Sequence, residues 1–245
     1  MALQEEMEQQ GNWLFRYRSY LPIIILFIAL GVFLYEKKSA SPCPTTLYFQ
    51  MACLLISLLG LVIRIYTVGY TPKNTSGRNV EGQVAEFLNT SGIYSVVRHP
   101  LYLGNFFMWL GPAALTANSW FIIAFCFFYW VYYERIMFAE EQFLRRKFGA
   151  AYEDWAKKTP AFFPACKKII SSQLTFSWKK VLKKEKNGLV AVFLIFTLFD
   201  ISGKWMTNQT DYNYILIIAS GISVLLYLLL KYLKSYTTLL EEDGR

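Results

Sequence analysis

An all-α bundle that threads a lipid bilayer about six times is the fold class this sequence predicts, on three observations. Apolar residues make up 55% of the 245-residue chain, which is more than a soluble globule usually carries. They come in nearly uncharged blocks, at 20–35, 47–63, 101–133, 189–206 and 212–230, and not at an amphipathic period. The basic residues are lopsided. With both termini in the cytoplasm, only Lys37, Lys38 and Lys204 of the 25 Lys and Arg fall in outer loops. The net charge of +8 is therefore an orientation signal beside an anionic leaflet, and no nucleic-acid partner is expected. A bacterial inner membrane is the expected location.

The elements follow in order. The start, Gln4-Glu5-Glu6-Met7-Glu8, is acidic and lacks the basic region and cleavage site of a secretory leader. The first span, 20–35, is therefore expected to be retained; it is short enough to be tilted or partly interfacial. The second span is 47–63. A polar loop, 67–92, carries Gly69, Pro72, Lys73, Gly77 and Arg78; it suits either a cover over a site or a plain connector. Residues 101–133 are too many for one span of about 20 residues. Gly111-Pro112 and Asn118-Ser119 near the middle fold them into a tight helical hairpin.

A charged helix over 134–158 is expected next, with Leu144, Phe148, Tyr152 and Trp155 on one face and Pro160 ending it. Residues 167–186 repeat the amphipathic theme. Ile170, Leu174, Trp178 and Leu182 form a stripe, and Lys179, Lys180, Lys183, Lys184 and Lys186 face anionic head groups from an interfacial helix. Spans 189–206 and 212–230 close the chain, with Asp200 either a functional group or an interface residue. Three units result: a core at 1–166 with its motif region at 92–164, a basic interfacial helix at 167–187, and a two-span module at 188–245. Cys43, Cys53, Cys126 and Cys166 have no metal-ligand spacing and no disulfide framework is inferred; no metal is expected.

Chemistry concentrates at one turn. Pro100 suits the first position of a helix and disfavours helical geometry at His99, the chain's single histidine. The helix start would offer free N–H groups and a positive dipole end to an anion, and Arg98 adds a planar fork that matches a carboxylate. Tyr102 and Asn105, three apart, share a face. Gly104 permits close approach of another group. Forty residues on, Glu140 falls in line with Leu144 and Phe148 on the apolar face, where an acid needs a partner. Glu141 stands four before Arg145, as in an ordinary surface ion pair. On this face argument Glu140 should matter more than Glu141. Taken singly, each has a structural reading: Arg98 as an anchor at lipid phosphates, His99 as a capped interfacial histidine, Glu-Glu as solvated charge.

Together, Arg98-His99-Pro100-x-Tyr102-x-Gly104, Glu140-Glu141-x-x-Leu144-x-x-x-Phe148-Gly149-x-x-Tyr152 and Pro160-x-x-x-Pro164 resemble the isoprenylcysteine carboxyl methyltransferase and phospholipid methyltransferase superfamily. The resemblance covers about 92–164. It implies a small helical membrane enzyme that uses S-adenosylmethionine. It also implies that His99, Tyr102, Gly104, Glu140 and Glu141 contribute to the cofactor pocket, to which the reading of the turn itself adds Arg98, Pro100 and Asn105. Cofactor would enter from the cytosol and a lipophilic acceptor from the bilayer. The chain continues well past the Pro-x-x-x-Pro element, where common members end, which leaves the acceptor open.

An ionised carboxylate or phosphate needs no general base, whereas an amine must first lose a proton. The one histidine is committed to the cofactor side, and Arg64, Lys73 and Arg78 suit an anion. A lipid-borne carboxylate or phosphate is therefore the favoured acceptor, and no catalytic acid or base is singled out. The rivals are an N-methyltransferase of phospholipid amines, an intramembrane lipid reductase using a nicotinamide cofactor, and a non-enzymatic transporter or assembly protein.

Overall fold

The computed structural model describes residues 2–39, 46–72, 83–242 and 244. They form eight α-helices: α1 (Leu3–Tyr17), α2 (Leu21–Lys38), α3 (Leu47–Gly69), α4 (Pro100–Leu115), α5 (Ser119–Phe148), α6 (Ala150–Ala156), α7 (Trp178–Met206) and α8 (Tyr214–Tyr236). Among the described residues the only extended pairing is an isolated bridge between Gly92 and Ile170. Local chemistry sets the helix starts. Side chains of Thr46, Asn118, Ser177 and Asn213 accept N–H groups of the first turns of α3, α5, α7 and α8, and Pro100 is the first residue of α4. Gly149, at φ +52°, ends α5 with its N–H on the Arg145 carbonyl, 2.9 Å away.

The fold is an all-helical membrane bundle, as expected. Four helices, α3, α5, α7 and α8, are long and apolar enough to cross a bilayer among the described residues; α1 and α2, bent by 72° at their joint, add a fifth if taken as one span. The expected hairpin exists as α4 and α5, joined at Thr116–Asn118. Its first arm is only 16 residues long, or about 24 Å at 1.5 Å per residue, against a hydrocarbon core of about 30 Å. Glu36, Lys37 and Lys38 charge the end of α2.

Three expectations are corrected. The charged helix at 134–158 is not separate: α5 runs unbroken for 30 residues from the hairpin turn through Phe148, and only the short α6 follows. No break-forming residue stands between Trp130 and Glu140. The segment 167–177 is not helical; α7 begins at its Ser177 cap and runs to Met206, so the basic run is the first part of a long apolar helix. The two-span C-terminal module does not stand apart either. Val192, Phe196 and Phe199 of α7 share a core with Ala29 and Phe33 of α2, Cys53 and Leu54 of α3, and Leu216 of α8.

Helix α3 lies at the centre, against α4 on one side and α7 on the other. Small residues bring α3 and α4 together: a Cβ on Gly60 would overlap the Gly104 carbonyl, and one on Gly111 would lie 2.6 Å from the Cys53 carbonyl oxygen. Ser57 Oγ donates to the Met108 carbonyl across the same seam, at 2.9 Å. α1, read from the sequence as a polar start, is a helix laid on α5. Its Gly11 is pressed on the Arg135 carbonyl, and its Glu8 pairs with Arg146 at 2.5 Å.

Candidate functional site

The Arg-His-Pro turn is held from behind. Arg98 N–H donates to the Pro160 carbonyl at 2.9 Å, His99 N–H to Ala161 at 3.0 Å, and Ala165 N–H returns to Val96 at 2.9 Å. The indole N–H of Trp155 donates to the Tyr94 carbonyl at 3.0 Å. The Pro160-x-x-x-Pro164 element is thus a brace for the turn, which explains why the two motifs occur together. Tyr102, one turn into α4, stacks on His99 with ring centres 5.6 Å apart, and its carbonyl accepts the Tyr129 hydroxyl at 2.6 Å.

The two acids do different work from what the helical-face argument expected. Glu141 receives Arg98 Nη1 at 2.9 Å through one oxygen and His99 Nε2 at 2.9 Å through the other. It does not pair with Arg145, which instead lies 3.7 Å from Glu153. Arg98 Nη1 also reaches the Tyr152 hydroxyl at 3.3 Å. Glu140 faces the other ring nitrogen, His99 Nδ1, at 3.4 Å. Of the pair, Glu141 is the less exposed, at 22% against 30%. The face argument counted only the Leu144–Phe148 side of α5 as covered, but the turn at 93–99 covers the neighbouring side too.

His99 is buried, with a carboxylate against each ring nitrogen. Carboxylates facing both nitrogens favour the charged ring, which donates from each. Burial by itself would lower its pKa; hydrogen bonds to Glu140 and Glu141 outweigh it and raise the pKa above the usual value. A raised histidine pKa stabilises the fold fully below the unfolded value of about 6.5 and ceases to do so as pH rises through the folded value. The melting-temperature gap between the wild type and His99→Gln should therefore be widest near pH 6 and narrow toward pH 9. A gap that stays constant or widens would mean the ring is neutral.

Beside this cluster lies a cavity of about 360 Å³, at the small end of the range for ligand sites. Of the residues expected at the site, Arg64, Arg98, His99, Tyr102, Asn105 and Glu140 line it. Glu141 stands behind His99. Pro100 is buried at the start of α4. Gly104 faces α3, where a Cβ would meet Arg64 Cγ at 2.6 Å; the close approach it permits is of a helix and not of a cofactor. Lys73 and Arg78 lie outside the described residues. Arg64 is at the wall, but its fork is engaged: Nε and Nη2 donate to Glu185 at 2.8 Å each, and Nη1 to Asn105 Oδ1 at 2.7 Å. Among the lysines expected to face head groups, Lys180 is buried with its ammonium on the Thr71 and Pro72 carbonyls at 2.6 and 2.9 Å, Lys184 lines the cavity, Lys186 is buried, and Lys179 is exposed.

Sequence reasoning missed Glu185, Lys184, Arg18 and Tyr133, all on the cavity wall. Glu185 did carry a signal, as a lone acid among five lysines at 179–186. The donor set fits S-adenosylmethionine, which bears a carboxylate, an ammonium and a sulfonium. The Glu140 carboxylate lines the cavity, and Arg98 Nε is buried without a hydrogen-bond partner among the described residues.

Comparison with known proteins matches residues 48–151 to the family described as phospholipid methyltransferase. A protein-S-isoprenylcysteine O-methyltransferase of Schizosaccharomyces pombe is 40% identical over 78 residues, 31% of this chain and 33% of that protein. A Saccharomyces cerevisiae protein of the same description is 29% identical over 142 residues, covering 57% and 56%. The nickel-cobalt-cadmium resistance protein NccN of Alcaligenes xylosoxydans xylosoxydans is 31% identical over 117 residues, covering 48% and 52%. The chain spans about half the length, or less, of the first relatives it matches. No solved structure matches significantly.

Proposed function

We propose, from the match of residues 48–151 to the phospholipid methyltransferase family and the similarity to isoprenylcysteine O-methyltransferases, that the protein methylates a lipophilic acceptor with S-adenosylmethionine. The observation that carries the proposal is the buried Arg98–His99–Glu140–Glu141 cluster opening on a cavity of about 360 Å³. When bound, S-adenosylmethionine supplies an activated methyl group, which an acceptor oxyanion takes to give an ester and S-adenosylhomocysteine. The chain's own task is to bind, orient and exclude water. Glu140 is placed for the ammonium or hydroxyl groups of the cofactor and Arg98 for its carboxylate. Tyr102 and His99 supply a flat wall. Glu141 holds Arg98 and His99 in register and touches no ligand.

The favoured acceptor is a carboxylate or phosphate on a lipid or lipid-anchored group. His99 is fixed between two carboxylates and is not free to deprotonate an amine. Arg18 and Lys184 add positive charge to the cavity wall, and relatives described as O-methyltransferases support the same choice. A phospholipid-amine acceptor is the second reading, favoured by the description of the matching family and by Glu140, a carboxylate on the wall that could accept a proton. The remaining lysines of 179–186 are assigned to anionic head groups, and the cavity mouth with both termini to the cytoplasmic side.

The experiment is in two steps. S-adenosylmethionine should raise the melting temperature of the detergent-solubilised protein, and a shift with a nicotinamide cofactor alone would replace this reading with a reductase. Membranes incubated with methyl-labelled S-adenosylmethionine should then yield label in base-labile esters. Label found only in N-methylated phosphatidylethanolamine would move the protein to the amine reading.

A further inference from the structure

A second polar relay crosses the cavity wall, and it draws on a helix outside the segment that matches the family. Glu185 of α7 takes Arg64 of α3 in a two-point ion pair, both contacts at 2.8 Å. The third arm of Arg64 reaches Asn105 of α4 at 2.7 Å. Tyr133 of α5 stands on the same wall as Asn105. All four side chains line the cavity, so four helices contribute one member each. The ion pair is well enclosed, with Glu185 5% and Arg64 21% exposed.

The geometry holds α7 firmly in this place. Its first turn is fastened to the end of α3 by Lys180 on the Thr71 and Pro72 carbonyls. One turn past Glu185, Gly188 admits Met108 and Leu61 so closely that a Cβ would lie 3.2 and 3.4 Å from them. A planar guanidinium held at two points cannot pivot, and its bond to Asn105 Oδ1 fixes which end of that amide is turned to the arginine. The Arg98–His99–Glu141 cluster already serves the cofactor with residues of the motif region. The relay depends on α7, which lies beyond the matched residues 48–151.

We propose that Glu185 is a positioning residue for the acceptor: through Arg64 and Asn105 it sets the wall against which the acceptor's head group is held. This rests on the methyltransferase reading. It makes the C-terminal helices part of the site rather than an added anchor.

The test measures two quantities on the full chain in detergent micelles. One is S-adenosylmethionine affinity, by thermal shift. The other is the apparent KM for a total lipid extract of the producing cells at graded mole fraction, with methyl-labelled S-adenosylmethionine. Glu185→Gln should raise that KM by about tenfold or more, the scale of a weakened charge-assisted pair, with cofactor affinity within about twofold. The double variant Arg64→Gln/Glu185→Gln removes both charges and so avoids a stranded one. It should melt like the wild type yet keep the raised KM. Recovery of the wild-type KM in the double variant would reduce the pair to a structural staple and overturn the inference, as would a parallel loss of cofactor affinity. A wild type that binds no S-adenosylmethionine would sink the methyltransferase reading itself. A wild type that binds and methylates, beside an unaltered Glu185→Gln, would sink the present inference alone.

Discussion

Glu141→Ala should lower both the melting temperature of the ligand-free protein and its affinity for S-adenosylmethionine. One carboxylate serves two cations, Arg98 and His99, at 2.9 Å each. Its removal leaves a guanidinium and an imidazolium side by side in a largely enclosed place. Stranding charges in this way costs about 2–3 kcal/mol of stability once the partial exposure of the pair is discounted, and affinity falls because Arg98 and His99 lose their placement. Glu140→Gln should behave differently. Its contact with His99 is longer, at 3.4 Å, and the amide keeps an acceptor oxygen, so the ligand-free melting temperature should fall by much less than in Glu141→Ala while cofactor affinity falls. The pair thus separates a residue that builds the site from one that faces the ligand. Thermal melts with and without S-adenosylmethionine check both halves. Equal losses of ligand-free stability in the two variants would show that the acids share one structural role.

This ordering reverses what the sequence supports on its own, for a physical reason. A helical-face argument assigns burial from the apolar residues of one helix. It placed Glu140 correctly in line with Leu144, and Leu144 does line the cavity beside it. It could not see that the turn carrying Arg98 and His99 arrives on the adjoining face, because that contact joins residues about forty apart in sequence. The same limit hid Glu185, whose partner Arg64 is 121 positions away. Basic charge around it made an interfacial helix the simplest reading of 167–186.

What was legible is local. Pro100 marks the first turn of α4, Asn118 caps the second arm of the hairpin, and the motif spacing joins the turn to the Glu-Glu pair. Hydropathy identified the bundle and the apolar blocks that become its long helices. The helix α1 was missed because its charges read as a polar tail. Yet Met7, Gly11, Leu14 and Phe15 recur at helical spacing, and Gly11 and Phe15 are the buried ones.

Gly60→Ala should be as damaging as a single methyl group can be in this bundle. Its Cβ would overlap the Gly104 carbonyl and lie 2.5 Å from the Met108 backbone nitrogen. Both are main-chain atoms of α4 and cannot rotate away. The helices would have to part, at a cost of about 2–3 kcal/mol from overpacking, and Gly111→Ala should do the same against the Cys53 carbonyl. Separation of α3 from α4 would also draw Arg64 away from Asn105, now 2.7 Å apart, so loss of stability and disorder of the cavity wall should appear together. The controls are in the same chain. A Cβ on Gly31 or Gly221 would have nothing within 4 Å, and there Ala should leave the melting temperature unchanged or raise it slightly, since it favours the helix by up to about 1 kcal/mol. Thermal unfolding of the four variants in one detergent reads the contrast directly. If all four melted alike, α3 and α4 would not meet at this seam. If only Gly60→Ala and Gly111→Ala fall, the small residues are what allow a polar arginine wall to be built between two apolar helices.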